Sequence, residues 1–399
     1  MAIGKFNLSD ASALFKIKYE KLSENIYNSA NVLLGRCKKS YNFVGESMRI
    51  AVPQSFAGGV GSGSLPTASK AKYGKADITA KKVYARVEID RETIKAALKD
   101  EGSFVRATKE VVKKGVESYM RNLSRILFSD GSGKLGDISS IDGTKKILTF
   151  TTFKEANFEE GDLVDLAKDA AAPGGPDSGL EIESVDPDAK TVTLKSACSA
   201  QDLNKIYMQN SKGNDPEGLS GVVQKASGGK NAYGITSDRR WSSVEDDAGA
   251  AAVSTDLLNK SMLSIEKKCG KAPNLIVCSY KQYEKILNLL EDQKRYTVNT
   301  RAGLKTKSGA DVSFSGVEFM SSSGPVGIFP ERFCEDDRVY FLNDNHIHIY
   351  HRPDFGWFDD DGTVFLRKAD EDSYEARYGG YFNIYINPAF HGVLKNLSV

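Results

Sequence analysis

Residues 104–133 read FVRATKEVVKKGVESYMRNLSRILFSDGSG, a pattern that predicts one long amphipathic helix. At 100° per residue, mainly apolar positions fall within about half of the circumference. These positions are Val105, Thr108, Val111, Val112, Gly115, Val116, Tyr119, Met120, Leu123, Ile126 and Leu127. Asp130-Gly-Ser-Gly133 ends the helix. At ~1.5 Å per residue the helix is roughly 40 Å long, so we call it the spine helix.

The other side of the spine helix is charged, and we expect it to face solvent. Its members are Arg106, Glu110, Lys113, Lys114, Glu117, Arg121 and Arg125. Glu117 and Arg121 have the favourable acid-first i,i+4 order, as do Glu110 and Lys114. Ser103 is a candidate cap near the start. A glycine within a helix costs ~1 kcal/mol, so Gly115 predicts that another element approaches closely.

A glycine-rich excursion precedes the helix. Residues 50–66, IAVPQSFAGGVGSGSLP, offer too few side chains to pack a core, so we expect neighbouring parts to order them. A basic segment returns from Lys70 to Glu88 and forms the stalk of this loop. Its end alternates apolar and polar residues, which predicts a half-buried strand with Val83, Ala85, Val87 and Ile89 on the inner face.

Two further sequence patterns follow the spine helix. Short β-prone runs separated by turns predict a small inserted β-barrel, with runs at 147–152, 179–185, 191–194 and 205–208. After residue 218 the pattern is α/β. The predicted helices cover 254–270 and 280–291, and the predicted strands cover 274–278, 312–319, 339–342, 346–350 and 364–367. Gly270 suits a left-handed cap, and Ser254 and Ser279 suit helix starts.

Composition excludes several classes. The chain has 399 residues, 40% of them hydrophobic, and a net charge of +1, so its overall field gives no reason for non-specific binding to nucleic acid or membrane. No apolar run is long enough for a membrane span or a signal peptide. Five cysteines without a Cys-x-x-Cys motif indicate a reducing compartment.

Charge is nevertheless segregated locally. The stalk is basic, through Lys70, Lys72, Lys75, Lys81, Lys82 and Arg86. A late segment is acidic, through Asp354, Asp359, Asp360, Asp361, Asp370, Glu371, Asp372 and Glu375. The two clusters are either solvated faces or the two sides of a contact between subunits.

Motifs for chemistry are weak. The run Gly58-Gly-Val-Gly-Ser-Gly63 lacks the Gly-Lys-Ser/Thr ending of a phosphate loop, and Asp130-Gly-Ser-Gly-Lys134 lacks the ligands of a calcium loop. His346 and His348 would share one face of a strand, but His351 would point to the other. We therefore predict no catalytic residue, no cofactor and no metal site.

The order of these parts resembles the major capsid proteins of tailed bacteriophages. The resemblance rests on an N-terminal arm with helical patterning over residues 9–37, the glycine-rich loop on a basic stalk and the spine helix ending in Arg125-Ile-Leu-Phe-Ser-Asp-Gly-Ser-Gly133. The stretches Lys271-Ala-Pro-Asn-Leu-Ile-Val-Cys-Ser-Tyr-Lys-Gln-Tyr283 and Asn387-Pro-Ala-Phe-His-Gly-Val-Leu394 also look like that family. It covers nearly the whole chain, although no single motif is diagnostic.

The resemblance implies an α+β chain with the Hong Kong 97-type capsid fold. Its expected parts are an N-terminal arm (1–45), an extended loop or E-loop (46–90), a peripheral domain with the spine helix (91–144), an inserted β-barrel domain (145–208), an axial domain with peripheral strands (209–375) and a C-terminal segment that returns through the peripheral domain (376–399).

The resemblance also implies function. The protein would assemble with copies of itself into hexamers and pentamers of an icosahedral head, which encloses double-stranded DNA without sequence-specific binding and involves no membrane. Scaffold, portal and decoration proteins would be separate partners, and assembly would take place in the host cytoplasm before the protein resides in the virion. The predicted contact residues between subunits are Lys70, Lys72, Lys75, Arg86, Asp359, Asp360 and Asp361.

Other classes stay open at this point. An encapsulin-like compartment has the same fold, although such chains are usually shorter and lack the insertion, and it would hold a cargo enzyme instead of DNA. A β-rich adhesin or tail protein, or a metal hydrolase using His346 and His348, is a more distant possibility.

Overall fold

The computed structural model describes residues 32–40, 43, 45, 47–55, 72–90, 101–169, 173, 175–225, 231–236, 240–292, 304–305, 311–312, 317–321, 324–352, 356–358, 366–368 and 371–399. Helices and sheets both contribute, as expected for an α+β chain. The α-helices are α1 (Val32–Arg36), α2 (Glu101–Leu127), α3 (Leu219–Val222), α4 (Thr255–Cys269) and α5 (Tyr280–Asp292). The 3-10 turns are Glu155–Asn157, Gly175–Asp177, Asp344–His346 and Pro388–Phe390.

Helix α2 is the predicted spine helix. Its apolar face is buried as the helical wheel predicts, at Val116, Tyr119, Met120, Leu123, Ile126 and Leu127. Each such side chain contributes about 1.5–3 kcal/mol when fully buried. The helix already includes Ser103, so the cap prediction at that residue is wrong. Gly131 has a φ of +82°, so the Asp130-Gly-Ser-Gly133 run ends the helix as predicted.

The spine helix lies on a sheet built around the longest strand. This spine sheet contains β1 (Lys38–Ser40), β4 (Lys81–Asp90), β20 (Ile347–His351), β21 (Gly356–Trp357), β22 (Leu366–Arg367) and β23 (Ser373–Ile386). Strand β23 pairs with β4 over ten residues, and β4 alternates as predicted, with Val87 buried and Arg86 and Glu88 exposed. Tyr119 of the helix meets Tyr378 edge-on, with ring centroids 5.3 Å apart.

The basic stalk segment forms two strands, and the first of them makes a hairpin with the strand that enters the loop. Strands β2 (Ser47–Ser55) and β3 (Lys72–Thr79) pair with each other, and Ala80 separates β3 from β4 of the spine sheet. Val52, Ala76 and Ile78 on the inner face of the hairpin belong to the main core. In the described residues the hairpin is therefore anchored through its inner face and, along the edge of β3, through Asp77 N, which donates to Tyr233 O at 3.1 Å.

The segment after the spine helix closes into a six-stranded barrel. Its strands are β5 (Lys134–Ile141), β6 (Ile147–Phe150), β7 (Leu163–Ala167), β8 (Leu180–Asp186), β9 (Thr191–Leu194) and β10 (Lys205–Met208). The four strand runs predicted here are present, but β5 and β7 were missed. Strand β5 has a register shift that breaks the period of two, and β7 carries the buried Asp165 among apolar residues. The barrel consequently begins before residue 145.

The barrel is fastened to the body at its two ends. The incoming and outgoing connections run side by side, with Gly213 N donating to Ser132 O at 2.9 Å. A side chain at Gly133 would lie 2.2 Å from Ser211 O, so only glycine allows this approach. The barrel has its own apolar core, yet Ala156 belongs to the main core of the chain.

The remaining large sheet is α/β in character. It contains β13 (Val244–Asp247), β14 (Leu275–Cys278), β17 (Val317–Ser321), β18 (Gly324–Pro330), β19 (Val339–Leu342) and β24 (Gly392–Lys395). Helix α4 contacts β13 and β24, and α5 contacts β18. Two short hairpins are separate from it: β11 (Asn231–Ala232) with β12 (Ile235–Thr236), and β15 (Leu304–Lys305) with β16 (Asp311–Val312).

The predicted caps of this region are confirmed. Ser254 accepts a hydrogen bond from Leu257 N, Gly270 has a φ of +71°, and Ser279 Oγ accepts from Gln282 N at 3.3 Å. The C-terminal segment is divided, since β23 belongs to the spine sheet but β24 pairs with β13 and β19. The last residues thus tie the two large sheets together.

Gly115 sits where the spine helix crosses β4, as the sequence predicts. A methyl group there would lie 2.6 Å from Val87 Cγ2. We expect Gly115→Ala to destabilise the subunit by about 1–2 kcal/mol, because overpacking outweighs the ~1 kcal/mol gain in helix propensity. Chemical denaturation of the unassembled subunit measures this. Ser118→Ala, at an exposed position of the same helix, is the control and should stay within about 0.5 kcal/mol.

Repeating the Gly115→Ala substitution in a Val87→Ala subunit shows whether Val87 is the cause of the lost stability. Val87→Ala removes the atom that residue 115 would meet, so Gly115→Ala should lose its cost there. An equal cost in both backgrounds would show that the contact with Val87 does not explain the glycine.

Candidate functional site

The structure describes some of the predicted contact residues but not all of them. Lys72 and Lys75 lie on β3, and Arg86 lies on β4. Lys75 is exposed, opposite Ala51 of β2. Lys70, Asp359, Asp360 and Asp361, like the glycine-rich run 58–63, lie outside the described residues.

The outer face of the hairpin is a candidate contact surface. Tyr73 is 57% exposed and shares this face with Lys75. Arg49 Nε and Asp77 Oδ1 form an exposed ion pair at 2.9 Å, which neutralises both charges. An exposed tyrosine beside a cation offers a large contact area with little rotamer entropy to lose, which suits binding to a partner surface.

Arg86 meets the acidic segment inside its own subunit. Its Nη2 lies 2.7 Å from Glu375 Oε2 and 3.0 Å from Glu88 Oε1, and Arg377 also pairs with Glu375. The register sets Arg86 opposite Arg377 and Glu88 opposite Glu375. Like charges directly across a sheet repel, so the diagonal opposite-charge pairs hold this surface together.

Glu375 is the centre of this network, because its side chain is only 6% exposed. Burial alone would raise its pKa, but hydrogen bonds from Arg377 and Arg86 outweigh burial, so the pKa is lowered. Lys368 extends the network to Glu88 and Glu371, each at 2.8 Å. Hydrogen bonds to those two carboxylates raise the pKa of Lys368, and the bond from Lys368 lowers that of Glu371.

Two arginines on the charged side of the spine helix are covered by other elements: Arg125 is buried and Arg121 is half-buried. Arg125 Nη2 lies 2.9 Å from Asp215 Oδ2, and both side chains are 6% exposed. Arg121 Nη2 lies 2.5 Å from Asp162 Oδ2 in the barrel. The barrel covers this part of the charged side, which the helix pattern alone does not reveal. The predicted Glu117–Arg121 pair is wrong, since Glu117 pairs with Lys113 at 3.7 Å.

The histidine cluster does not assemble as a metal site. His346 lies in a 3-10 turn and stacks on Phe390 with ring centroids 3.7 Å apart, so it is not on the strand that carries His348 and His351. Within the described parts of the chain, no group of three or more His, Cys, Asp or Glu side chains could hold a metal ion. No helix in those parts is long and apolar enough to cross a membrane.

Sequence similarity identifies the class of protein. The profile of the family described as SU10 major capsid protein matches residues 183–398, more than half of the chain. The protein is therefore one that forms a viral capsid shell. It belongs to the SU10 major capsid protein family, which confirms the prediction of a tailed-phage major capsid protein. Among curated proteins, none is similar enough in sequence to count as a relative.

Several solved structures are similar over most of their length. The capsid asymmetric unit of cyanophage A-1(L) is 11% identical, with 91% of each chain covered and a TM-score of 0.47. The virus-like particle from Pyrococcus furiosus is 10% identical, with 95% of this chain and 100% of that chain covered and a TM-score of 0.42. Mycobacterium phage Patience gives 10% identity, 98% and 89% coverage and a TM-score of 0.40. The assignment rests on the family match, which gives no better support to an encapsulin-like compartment.

The Arg86 network yields one prediction. Glu375→Gln leaves two guanidinium groups on one face without their shared carboxylate, and we expect the free energy of unfolding to fall by about 1–3 kcal/mol. Glu371→Gln, which removes a 62% exposed carboxylate, is the control and should cost under about 0.5 kcal/mol. Adding Arg86→Gln to Glu375→Gln should restore about 1 kcal/mol. Equal costs for the two glutamate variants would contradict a structural role of the network.

The buried histidines yield a second prediction. Burial lowers the pKa of both His351 and His391 to about 3. Below about pH 6.5 these histidines bind protons in the unfolded chain but not in the folded chain. Their contribution to the free energy of unfolding is therefore fully present above that pH and is lost as the pH falls. Each histidine should cost about 2 kcal/mol between pH 7 and pH 5. His391→Gln stays neutral, so its stability should fall less steeply than that of the wild type in urea titrations at both values. Parallel losses in the two proteins would refute this.

Proposed function

We propose that the protein assembles through hexamers and pentamers into the closed head of a tailed phage, which encloses double-stranded DNA without sequence-specific binding. The family match supports this role, and the exposed outer face of a hairpin whose inner face packs on the core carries it structurally. Many copies of a weak contact stabilise a symmetric shell, so exposed area matters more than a pocket.

The β2–β3 hairpin is the proposed stalk of the E-loop. Its inner residues Val52, Ala76 and Ile78 fix it to the subunit, and its outer residues Tyr73 and Lys75 are exposed. We propose that Lys72 and Lys75, with Lys70, contact Asp359, Asp360 and Asp361 of an adjacent subunit. Arg86, also a predicted contact residue, pairs with Glu375 of its own subunit while its side chain stays 55% exposed.

The barrel is proposed to be an inserted domain between the spine helix and the α/β sheet. Residues 134–208 contain fourteen acidic and eight basic side chains, a net charge of −6. Such an acidic body is repelled by phosphate, so we place it away from the enclosed DNA. The spine helix and its sheet would form the peripheral domain and the α/β sheet the axial domain, following residues 1–45 as the arm.

The proposed function also includes partner proteins and a place of assembly. Scaffold and portal proteins, and decoration proteins where present, are proposed as separate partners. Assembly is proposed in the cytoplasm of the host, and the role is proposed to be structural and not catalytic.

Removing the outer contacts of the hairpin tests the proposal. The double variant Tyr73→Ser with Lys75→Glu should reduce the yield of sedimenting shells at least tenfold, because the same lost contact recurs at every subunit. Its subunit should melt within about 2 °C of the wild type, since both side chains are exposed. Lys260→Glu, on the exposed face of α4, is the matched control for charge reversal and should assemble normally.

Normal shells from the double variant would exclude this face of the hairpin as a contact. Nuclease-protected DNA in shells purified from infected cells separates a phage head from an enzyme-filled compartment.

A further inference from the structure

The segment Val32–Ser40 joins residues 1–31 to the body. Leu33 and Leu34 of α1 are fully buried in the main core, and β1 pairs in parallel with β20. Arg36 Nε lies 3.2 Å from Asp344 Oδ2. Core packing, strand pairing and an ion pair thus hold this segment on the subunit.

Glu331 contacts the segment at its start. It follows β18, is 5% exposed, and donates its own amide to Cys278 O at 2.8 Å. Its Oε1 accepts a hydrogen bond from Leu33 N at 3.3 Å, and the carboxyl also accepts from the amide of Val32. Within the described residues no lysine, arginine or histidine forms an ion pair with it. Burying an ionised carboxylate without a cation costs free energy, so this site favours the protonated form of Glu331.

The groups around Glu331 do not supply a compensating charge. The thiols of Cys37, Cys278 and Cys334 come from the end of α1, the end of β14 and the turn after β18, and burial raises the pKa of all three, so they stay neutral. Lys39 and Asp344, of opposite charge, act on Cys37 and not on the carboxyl itself. Burial raises the pKa of Glu331 to about 7.

We propose that the Glu331 carboxyl is a proton-operated latch for the segment Val32–Ser40. When protonated, the carboxyl group carries no charge, so it stays buried beneath α1 and the segment stays docked. When ionised, it is solvated better if α1 lifts away, and the segment detaches more often. This is a conformational device of the subunit, and it goes beyond the shell-forming role.

The sign follows from proton linkage. In the detached state the carboxyl is hydrated and titrates near its ordinary pKa of 4.5, and in the docked state near 7. Docking is therefore strongest at low pH and weakens as the pH rises between these values, with no further change above about 8. The detached fraction should rise roughly 70-fold from pH 5 to pH 8.

Hydrogen exchange of the full-length unassembled subunit tests the latch. Peptides covering residues 32–40 should show the roughly 70-fold rise after correction for intrinsic exchange rates, whereas barrel peptides should not. Glu331→Gln keeps an acceptor for Leu33 N but cannot ionise, so its profile should be flat. Glu181→Gln, an exposed barrel carboxyl paired with Lys195, is the control and should retain the wild-type profile.

A second measurement is independent of any variant. Side-chain carboxyl NMR of the wild-type subunit should show one glutamate titrating near pH 7, in step with exchange at Leu33. A flat wild-type exchange profile, the same pH rise in Glu331→Gln, or titration of every glutamate below about pH 5.5 would overturn the proposal.

Discussion

The packing of the spine helix on β4 is the constraint on which the rest of the subunit depends. The helix can approach the strand at Gly115 because no side chain fills the space in front of Val87. This approach lets Tyr119 reach Tyr378 of β23, so helix, β4 and β23 share one core. The hairpin, α1 and the edge of the barrel add their apolar residues to that same core. A displaced spine helix would therefore loosen all of these attachments together.

Ion pairs fix the relative positions of elements that apolar packing alone does not determine. Arg121 and Arg125 connect the end of the spine helix to Asp162 of the barrel and to Asp215 just beyond it. Arg86 connects β4 to Glu375 of β23. Buried pairs like Arg125–Asp215 are sensitive to loss of either partner, because the remaining charge stays buried. Arg121 thus ties the barrel, and Arg125 ties the chain just beyond it, to the helix that carries the core.

The parts with a clear period were predictable from sequence. The apolar face of the spine helix, the alternation of β4, the strands β9, β10 and β19, and the Gly270 cap follow from local rules. The parts set by tertiary contacts were not. Arg121 and Arg125 lie on the polar side of the wheel, and their low exposure comes from contacts with Asp162 of the barrel and with Asp215 beyond it. The β7 strand was hidden by Asp165, whose charge is satisfied by Ser178, Gly179 and Asn210.

The central claim is that the outer face of the hairpin, anchored through its inner face to the spine-helix core, is a contact between subunits of a closed shell. Electron cryomicroscopy of assembled particles tests it most directly. The account predicts hexamers and pentamers in which Tyr73 and Lys75 are covered by a neighbouring subunit, while Arg86 and Glu375 remain paired within one subunit. Closed shells in which that face of the hairpin is open to solvent would contradict it.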